Sequence, residues 1–488
     1  MNPRPLLPAL LLCLGLCAPL PMAVAEGLPD LGESAQADLS PLAERRIGES
    51  IINQIRTREP GYVNDPEING YLNRLGTQLA AQSEGGAQSF EFFALRDPTL
   101  NAFAMPGGFI GVHTGLILAA LSESELASVL AHEISHVTQR HLARLLNKSA
   151  QGQTATLLAL AVAILAARNN GDLAMGAMMA GQAAGIQNQL NYSRDFEREA
   201  DRFGVNLLER SGYDVRGMSS FFERLQKVGR LYENNAPGYL RSHPLTVERI
   251  SDMENRIQGK QYKQVPDSLE FKLVRAKLRA QLGAPQDAVA DFEVQLKEGK
   301  FVDEVAVRYG LAQAQLRAGN LFGLNHEVVT LRQLKATSPM IETLAAESVL
   351  KQGDAKGAAK LLAVANGRYP QDRAISYAWI EALQQSNQAE TALKVTLEDL
   401  ALYPSDSTMH ALQAKTYAAL GRRLQQHRAQ AESYALLGQT AAAVIQMELA
   451  QKAGDGNFYE QSQVDARLRE LKKIKQEEDL ARRKEARQ

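Results

Sequence analysis

Cysteine is almost absent from this chain of 488 residues, and both of its cysteines, Cys13 and Cys17, lie at the very start. No disulfide can therefore stabilise the fold beyond residue 17. An excess of positive charge is also lacking, since 54 Lys and Arg oppose 55 Asp and Glu. A protein without such an excess neutralises few phosphates, which excludes nucleic acid as the principal ligand.

Long apolar runs are missing as well. Apart from the run at the start of the chain, the longest lies within residues 154–167, and its fourteen residues are too few to span a bilayer comfortably. We expect at most peripheral membrane contact. With 45% hydrophobic and 22% charged residues the chain should nevertheless fold. Its length predicts at least two domains.

The first 25 residues have the pattern of a cleaved export signal. Arg4 precedes an apolar run from Leu6 to Leu20, and Ala23-Val24-Ala25 provides a small-residue cleavage site. An uncleaved anchor is the alternative, but the run is short for a membrane span. We therefore predict a signal peptide over 1–25 and a periplasmic location.

The second half of the chain shows a 34-residue repeat. Gly319, Gly353 and Gly421 lie on one lattice of that period, and Asn387 fills the missing step. The pattern resembles the tetratricopeptide repeat, in which stacked helix pairs form a solenoid. We expect a first domain over 26–262, an all-α repeat domain over 263–460 and a solvated, charged helical tail over 461–488.

A predicted helix carries the pattern His132-Glu133-x-x-His136. Ser122 followed by Glu125 is a capping box that predicts where this helix begins. Histidines four apart lie about 40° apart around a helix, so both imidazoles can bind one metal ion. Glu133 would then lie beside the open position of the metal without being a ligand. The alternative is two exposed histidines beside an ordinary glutamate.

A second predicted helix offers the further ligand that such a site needs. Glu197 and Asp201 are four apart and share a face, so Glu197 can complete a His₂Glu zinc site. Asp201 can accept the far N–H of a ligand histidine. Glu199 is the rival ligand, but it points to a different face. His141 lies about 140° from His136 around a continuous helix and is expected to be exposed.

These motifs, together with Asn101-Ala-Phe-Ala-Met-Pro-Gly-Gly108, resemble the gluzincin metallopeptidases of family 48, which include the HtpX, Oma and CAAX-prenyl endopeptidase types. The resemblance covers roughly residues 40–257. It implies a mostly α protein whose zincin-type α+β domain, with a small β-sheet, precedes the repeat solenoid. It also implies one zinc ion per chain, bound by His132, His136 and Glu197, with Glu133 as the general base of peptide hydrolysis.

The run from Asn101 to Leu118 predicts a strand pair entered through Pro106-Gly107-Gly108. Its edge is a candidate for binding a substrate segment as an added strand, with Asn101, Phe103 and Met105 as the substrate-binding residues. An internal hairpin without substrate contact is equally compatible with the pattern.

His243, in a His-Pro loop before a predicted helix, is a candidate catalytic residue with two open roles. It can donate to the oxyanion in the transition state, or it can cap the open position of the metal and keep the enzyme latent. A helix-capping histidine without function is the third possibility. The apolar segment 154–185 is expected to form a buried hairpin or a flap facing membrane or substrate.

The arrangement of export signal, protease domain and repeats resembles periplasmic family members that act on outer-membrane β-barrel proteins. It implies an endopeptidase that hydrolyses misfolded or stalled outer-membrane proteins, with repeats that recruit these substrates or the β-barrel assembly machinery. The alternative is a chaperone-like scaffold in which the solenoid does the main work and the protease site is largely latent.

Overall fold

The computed structural model describes residues 40–83, 88–148, 194–231, 238–260 and 263–485. The predicted signal peptide and the apolar segment 154–185 lie outside these ranges. The described chain is mostly helical with one small sheet, which confirms the predicted fold class. None of its described helices is both long and apolar enough to cross a membrane.

The part of the chain before residue 260 surrounds the small sheet with helices. These helices are α1 (Pro41–Arg58), α2 (Pro66–Ala80), α3 (Thr114–Ala119), α4 (Glu123–Thr138), α5 (His141–Lys148), α6 (Arg194–Arg210), α7 (Arg216–Leu231), α8 (Gly238–Ser242) and α9 (Val247–Ile257). Helix α4 is buried along almost its whole length, with α2, α6 and α7 packed around it. The HExxH pattern therefore lies at the centre of the domain.

The sheet has three strands, β1 (Glu91–Leu95), β2 (Ala102–Met105) and β3 (Phe109–His113), in the order β1-β3-β2. β2 and β3 form the predicted antiparallel pair. Residues 114–119 are helical, however, so the extended structure ends at His113 and does not continue to Leu118. At the start of α3 the hydroxyl of Thr114 donates to the backbone carbonyl of Asp97, in the loop after β1, and accepts the backbone N–H of the same residue.

The repeat region consists of antiparallel helix pairs. Its helices are α10 (Leu269–Ala280), α11 (Pro285–Glu298), α12 (Glu304–Arg317), α13 (Leu321–Gln333), α14 (Pro339–Lys351), α15 (Ala355–Arg368), α16 (Arg373–Gln385), α17 (Ala389–Leu402), α18 (Ser407–Ala419), α19 (Arg423–Leu436), α20 (Thr440–Lys452) and α21 (Phe458–Glu485). The residues of the predicted 34-residue lattice lie in the turn between the two helices of a pair. There Gly319, Gly353, Asn387 and Gly421 all have positive φ. Left-handed backbone at these points favours Gly or Asn, which explains the period.

The C-terminal helix differs from the solvated tail expected over 461–488. α21 begins at Phe458, and its Val464, Leu468 and Leu471 are buried against α20. These apolar residues are spaced four and three apart among the charges, so one face of the helix closes the end of the solenoid.

The repeat region packs directly on the part of the chain before residue 260. Lys277 of α10 forms ion pairs at 2.6 Å with Asp65 and Glu67, at the start of α2. Tyr309 of α12 and Thr343 of α14 donate hydrogen bonds to the same Glu67. One buried carboxylate at the start of α2 therefore contacts three helices of the repeat region.

Candidate metal centre

Helix α4 positions the two histidines and the glutamate of the HExxH pattern. It begins as the sequence predicts, because Ser122 Oγ accepts the backbone N–H of Glu125. α6 approaches α4 closely at Gly204, where an added Cβ would lie 3.3 Å from the backbone nitrogen of His132. A glycine at this point lets the two helices bring their polar side chains together.

Four buried side chains converge between these helices. Nε2 of His132 lies 2.9 Å from Nε2 of His136 and 3.4 Å from Oε2 of Glu197. Nε2 of His136 lies 3.4 Å from Oε1 of Glu197. Nδ1 of His243 lies 3.3 Å from Nε2 of His132 and 3.1 Å from Oε1 of Glu197. Together they form the one potential metal-ligating group found among the described residues.

Asp201 and Arg249 lie behind His132. Oδ1 of Asp201 is 3.0 Å from Nδ1 of His132, the nitrogen that faces away from the group of four. Nε and Nη2 of Arg249 donate to the two oxygens of Asp201 at 2.7 and 2.8 Å. Burial disfavours the charge on Asp201, but Arg249 lowers the pKa of this carboxyl. Burial likewise disfavours a charged His132, but Asp201 and Glu197 raise its pKa to about 9.

His141 lies behind His136, which contradicts the expectation that it is exposed. It is fully buried, and its Nδ1 is 2.9 Å from Nδ1 of His136. The expected 140° offset assumed a continuous helix, but α4 ends at Thr138 and Arg140 has a φ of 53°. This left-handed residue turns the chain so that the ring of His141 returns to His136.

Glu199, the rival metal ligand, contacts His141 and does not join the group of four. Its Oε2 lies 3.2 Å from Nε2 of His141 and accepts a hydrogen bond from Arg144 at 2.9 Å. Burial lowers the pKa of His141 to about 4, and burial also holds the pKa of His136 well below its usual range. Both imidazoles are therefore neutral at pH 7.

Glu133 is fully buried beside the group of four. No described side chain hydrogen-bonds either of its carboxylate oxygens, and Nε2 of His243 lies 3.5 Å from Oε1. Burial raises its pKa, an effect that His243, His132 and the backbone of Ala104 on β2 oppose. The ring of His243 stacks on Tyr239 with 4.7 Å between centroids.

The outer edge of β2 runs past this site. Phe103 is paired with Gly111 of β3, and the N–H of His113 donates to the carbonyl of Asn101. Because pairing alternates along an antiparallel strand, the backbone groups of Ala102 and Ala104 point away from β3. The side chains of Phe103 and Met105 are buried in a core with Phe93 and Phe109. Asn101 is half-buried, and its Oδ1 has no hydrogen-bond partner among the described residues.

Sequence reasoning missed Arg249 and misplaced His141. Arg249 is 2% exposed, and besides Asp201 it contacts Glu197, with Nη1 2.8 Å from Oε2. Its position six residues after His243 gave no helical or motif signal. For His141 the only available sign was its place directly after Gln139-Arg140, where an α-helix of this length commonly ends.

Comparison with known proteins places these residues in context. Peptidase family M48 matches residues 66–257. The beta-barrel assembly-enhancing protease of Escherichia coli K12 is 30% identical over 467 residues, which is 95% of each chain. A putative beta-barrel assembly-enhancing protease of Vibrio cholerae is 39% identical over 63% of this chain and 64% of its own. Among solved structures, the P58(IPK) TPR domain is 14% identical with a TM-score of 0.17, over 74% of this chain and 98% of its own.

Proposed function

The chain belongs to peptidase family M48 and is a metallopeptidase, and from this premise we propose that it is a zinc-dependent endopeptidase. Zinc ligands would be His132, His136 and Glu197. The observation that carries this proposal is the cluster of two imidazole nitrogens and one carboxylate, all buried, with separations of 2.9–3.4 Å.

The donor set fits zinc in both type and spacing. Two histidines and one glutamate are a common set of protein ligands for catalytic zinc. With bonds of about 2.0–2.1 Å, the ligand atoms of a tetrahedral site lie about 3.3 Å apart, close to the separations observed here. Bound there, zinc would polarise the peptide carbonyl and lower the pKa of water.

Glu133 is the proposed general base. Its carboxylate is fully buried next to the ligands, and no described side chain occupies its oxygens. Because burial raises its pKa, Glu133 is a stronger base than an exposed glutamate. It would take a proton from water and later pass it to the leaving amine. Asp201 would fix the tautomer of His132 by accepting from Nδ1.

His243 is proposed to cap the site in the state described here. Its Nδ1 lies at the fourth corner of the group, 3.3 Å from the nearest nitrogen of His132. A histidine in that position would exclude water and substrate and keep the enzyme latent. Nε2 of His243, which lies 3.5 Å from Oε1 of Glu133, is the nitrogen that would serve the alternative role at the oxyanion.

Substrate is proposed to bind as an extended segment along β2. The outward backbone groups of Ala102 and Ala104 offer hydrogen bonds with little sequence preference. Phe103 and Met105 would support this strand from the core. Asn101 is the one of the three with a polar side chain, and its buried Oδ1 has no hydrogen-bond partner among the described residues.

The periplasm and outer-membrane proteins are the proposed location and substrates. The Escherichia coli relative, which matches over 95% of each chain, is named a beta-barrel assembly-enhancing protease. Unfolded or misassembled β-barrel proteins would be recruited by the repeats, which also offer a surface to the assembly machinery. The chaperone-like scaffold remains the second candidate, favoured by the His243 side chain in the metal site.

Metal analysis of the purified protein tests the proposal. Wild type should contain about one zinc per chain, and Glu197→Ala should contain much less, because a third ligand is lost. Asp195→Ala is the matched control, an exposed acidic residue on the same helix, and should keep its zinc. Absence of zinc from carefully prepared wild type would reject the enzyme reading in favour of the scaffold.

A further inference from the structure

A chain of polar contacts leads away from His136 to the surface of the protein. Nδ1 of His136 meets Nδ1 of His141, Nε2 of His141 meets Oε2 of Glu199, and Arg144 donates to the same oxygen. The ring of His141 also stacks on Phe196, with 4.6 Å between centroids and 10° between planes. Packing thus fixes the plane of this imidazole while its two nitrogens make polar contacts.

The proposed metal site, on which the inference rests, determines which atom donates and which accepts in each of these hydrogen bonds. Nε2 of His136 faces His132 and Glu197, so it must keep its lone pair for a metal. The hydrogen of neutral His136 then lies on Nδ1, and only an acceptor can satisfy it. His141 accepts with Nδ1 when its own hydrogen lies on Nε2, and that N–H donates to Glu199. Every group in the chain then has one consistent role.

We propose that His141 is a positioning residue for the metal centre. By accepting the Nδ1–H of His136, it selects the tautomer and the ring orientation that present Nε2 to the metal. His132 receives the same support directly from Asp201, whose Oδ1 lies 3.0 Å from Nδ1 of His132 and accepts a hydrogen bond from Arg249. Each ligand histidine is therefore supported by a carboxylate that an arginine binds. Asp201 contacts His132 itself, whereas the imidazole of His141 lies between Glu199 and His136.

Two variants of His141 separate this role from simple packing. His141→Phe keeps a ring that can stack on Phe196 but cannot accept a hydrogen bond. His141→Asn loses the ring but keeps an acceptor near the position of Nδ1. Loss of a residue that orients a metal ligand typically lowers metal affinity by about 10–100-fold. Zinc dissociation constants would be measured by competition with a chromophoric chelator, and the thermal midpoint of each metal-free protein would be recorded.

We expect wild type to bind zinc most tightly, His141→Asn less tightly and His141→Phe least tightly. If His141→Phe binds zinc as well as or better than His141→Asn, the residue acts through packing and the inference is overturned. If His141→Phe fails to fold, Glu199→Gln provides the test. Weaker zinc binding by Glu199→Gln than by the exposed control Asp195→Asn supports the positioning role of His141, and equal binding overturns it. Wild type without zinc would instead refute the proposed function.

Discussion

Nη1 of Arg249 lies 2.8 Å from Oε2 of Glu197 and donates to the backbone carbonyl of Pro244 at the same distance. The same guanidinium binds both oxygens of Asp201. One arginine therefore connects the helix that carries Glu197 to the segment that carries His243. The carboxylates of Glu197 and Asp201 are buried together, and this cation compensates their charge.

Replacing Arg249 should destabilise the protein strongly. Arg249→Met leaves the buried carboxylates of Glu197 and Asp201 without their cation, and removing one partner of a buried pair typically costs about 3–5 kcal/mol. Arg249→Lys keeps the charge but loses the two-pronged contact with Asp201, so a smaller loss is expected. Urea unfolding of the metal-free protein measures both.

The control for Arg249 lies on the same helix. Arg256 forms an ion pair with Asp252 in which both side chains are 37% exposed. Such surface pairs contribute about 0–1 kcal/mol, so Arg256→Met should unfold nearly as wild type does. Equal stability of the Arg249→Met and Arg256→Met variants would contradict the assigned role.

Glu133→Gln should abolish peptide hydrolysis while leaving the metal in place. Glutamine has the same shape but cannot accept a proton, and loss of a general base typically lowers the rate by about 10²–10⁴-fold. Because Glu133 is not a proposed ligand, zinc content should stay near one per chain. Activity would be followed on an unfolded protein substrate, with Asp195→Asn as the control. Hydrolysis at the wild-type rate by Glu133→Gln would remove Glu133 from the mechanism.

His243→Ala should raise peptidase activity, because it removes the side chain that occupies the fourth corner of the site. Three ligands remain, so zinc should be retained. The exposed His326, whose side chain is 69% accessible, provides a control in which His326→Ala changes nothing. Lower activity in His243→Ala would instead favour the oxyanion role, and unchanged activity would favour a histidine with no part in catalysis.

Local patterns predicted the parts of the site that lie on regular helices. The spacing of His132 and His136 and that of Glu197 and Asp201 reflect helical geometry, and the structure brings these side chains into one cluster. The repeat was predicted because turns with left-handed backbone favour glycine, which recurs at Gly319 and Gly353. In each of these cases a short segment contains the whole signal.

The remaining features depend on contacts between distant segments or on breaks in regular structure. Arg249 reaches Asp201 across 48 residues, and no pattern in a single sequence connects them. His141 was misplaced because one residue with positive φ, Arg140, ends the helix early. β1 was missed because both of its faces are buried, and its run Glu91–Leu95 lacks the alternation that identifies a half-buried strand.

Lys277 should be essential for the contact between the repeat region and the protease domain. Its side chain is 14% exposed and compensates the carboxylates of Asp65 and Glu67. Burial disfavours its charge, but these carboxylates raise its pKa above the usual range, so the pair persists at neutral pH. We expect Lys277→Met to lower the free energy of unfolding by about 3–5 kcal/mol, because two acidic groups lose their partner.

Lys272, on the same helix, provides the matched control for Lys277. It pairs with Asp303 at 3.0 Å and is 28% exposed, so Lys272→Met should cost no more than about 1 kcal/mol. Adding Glu67→Gln to Lys277→Met removes one unpaired charge, and the double variant should be more stable than the sum of the single losses predicts. Urea unfolding of the full chain measures wild type, the two lysine variants, Glu67→Gln alone and the double variant. If Lys277→Met and Lys272→Met unfold together, the buried ion pair does not hold the two regions together, and apolar packing between α10 and α2 must do so alone.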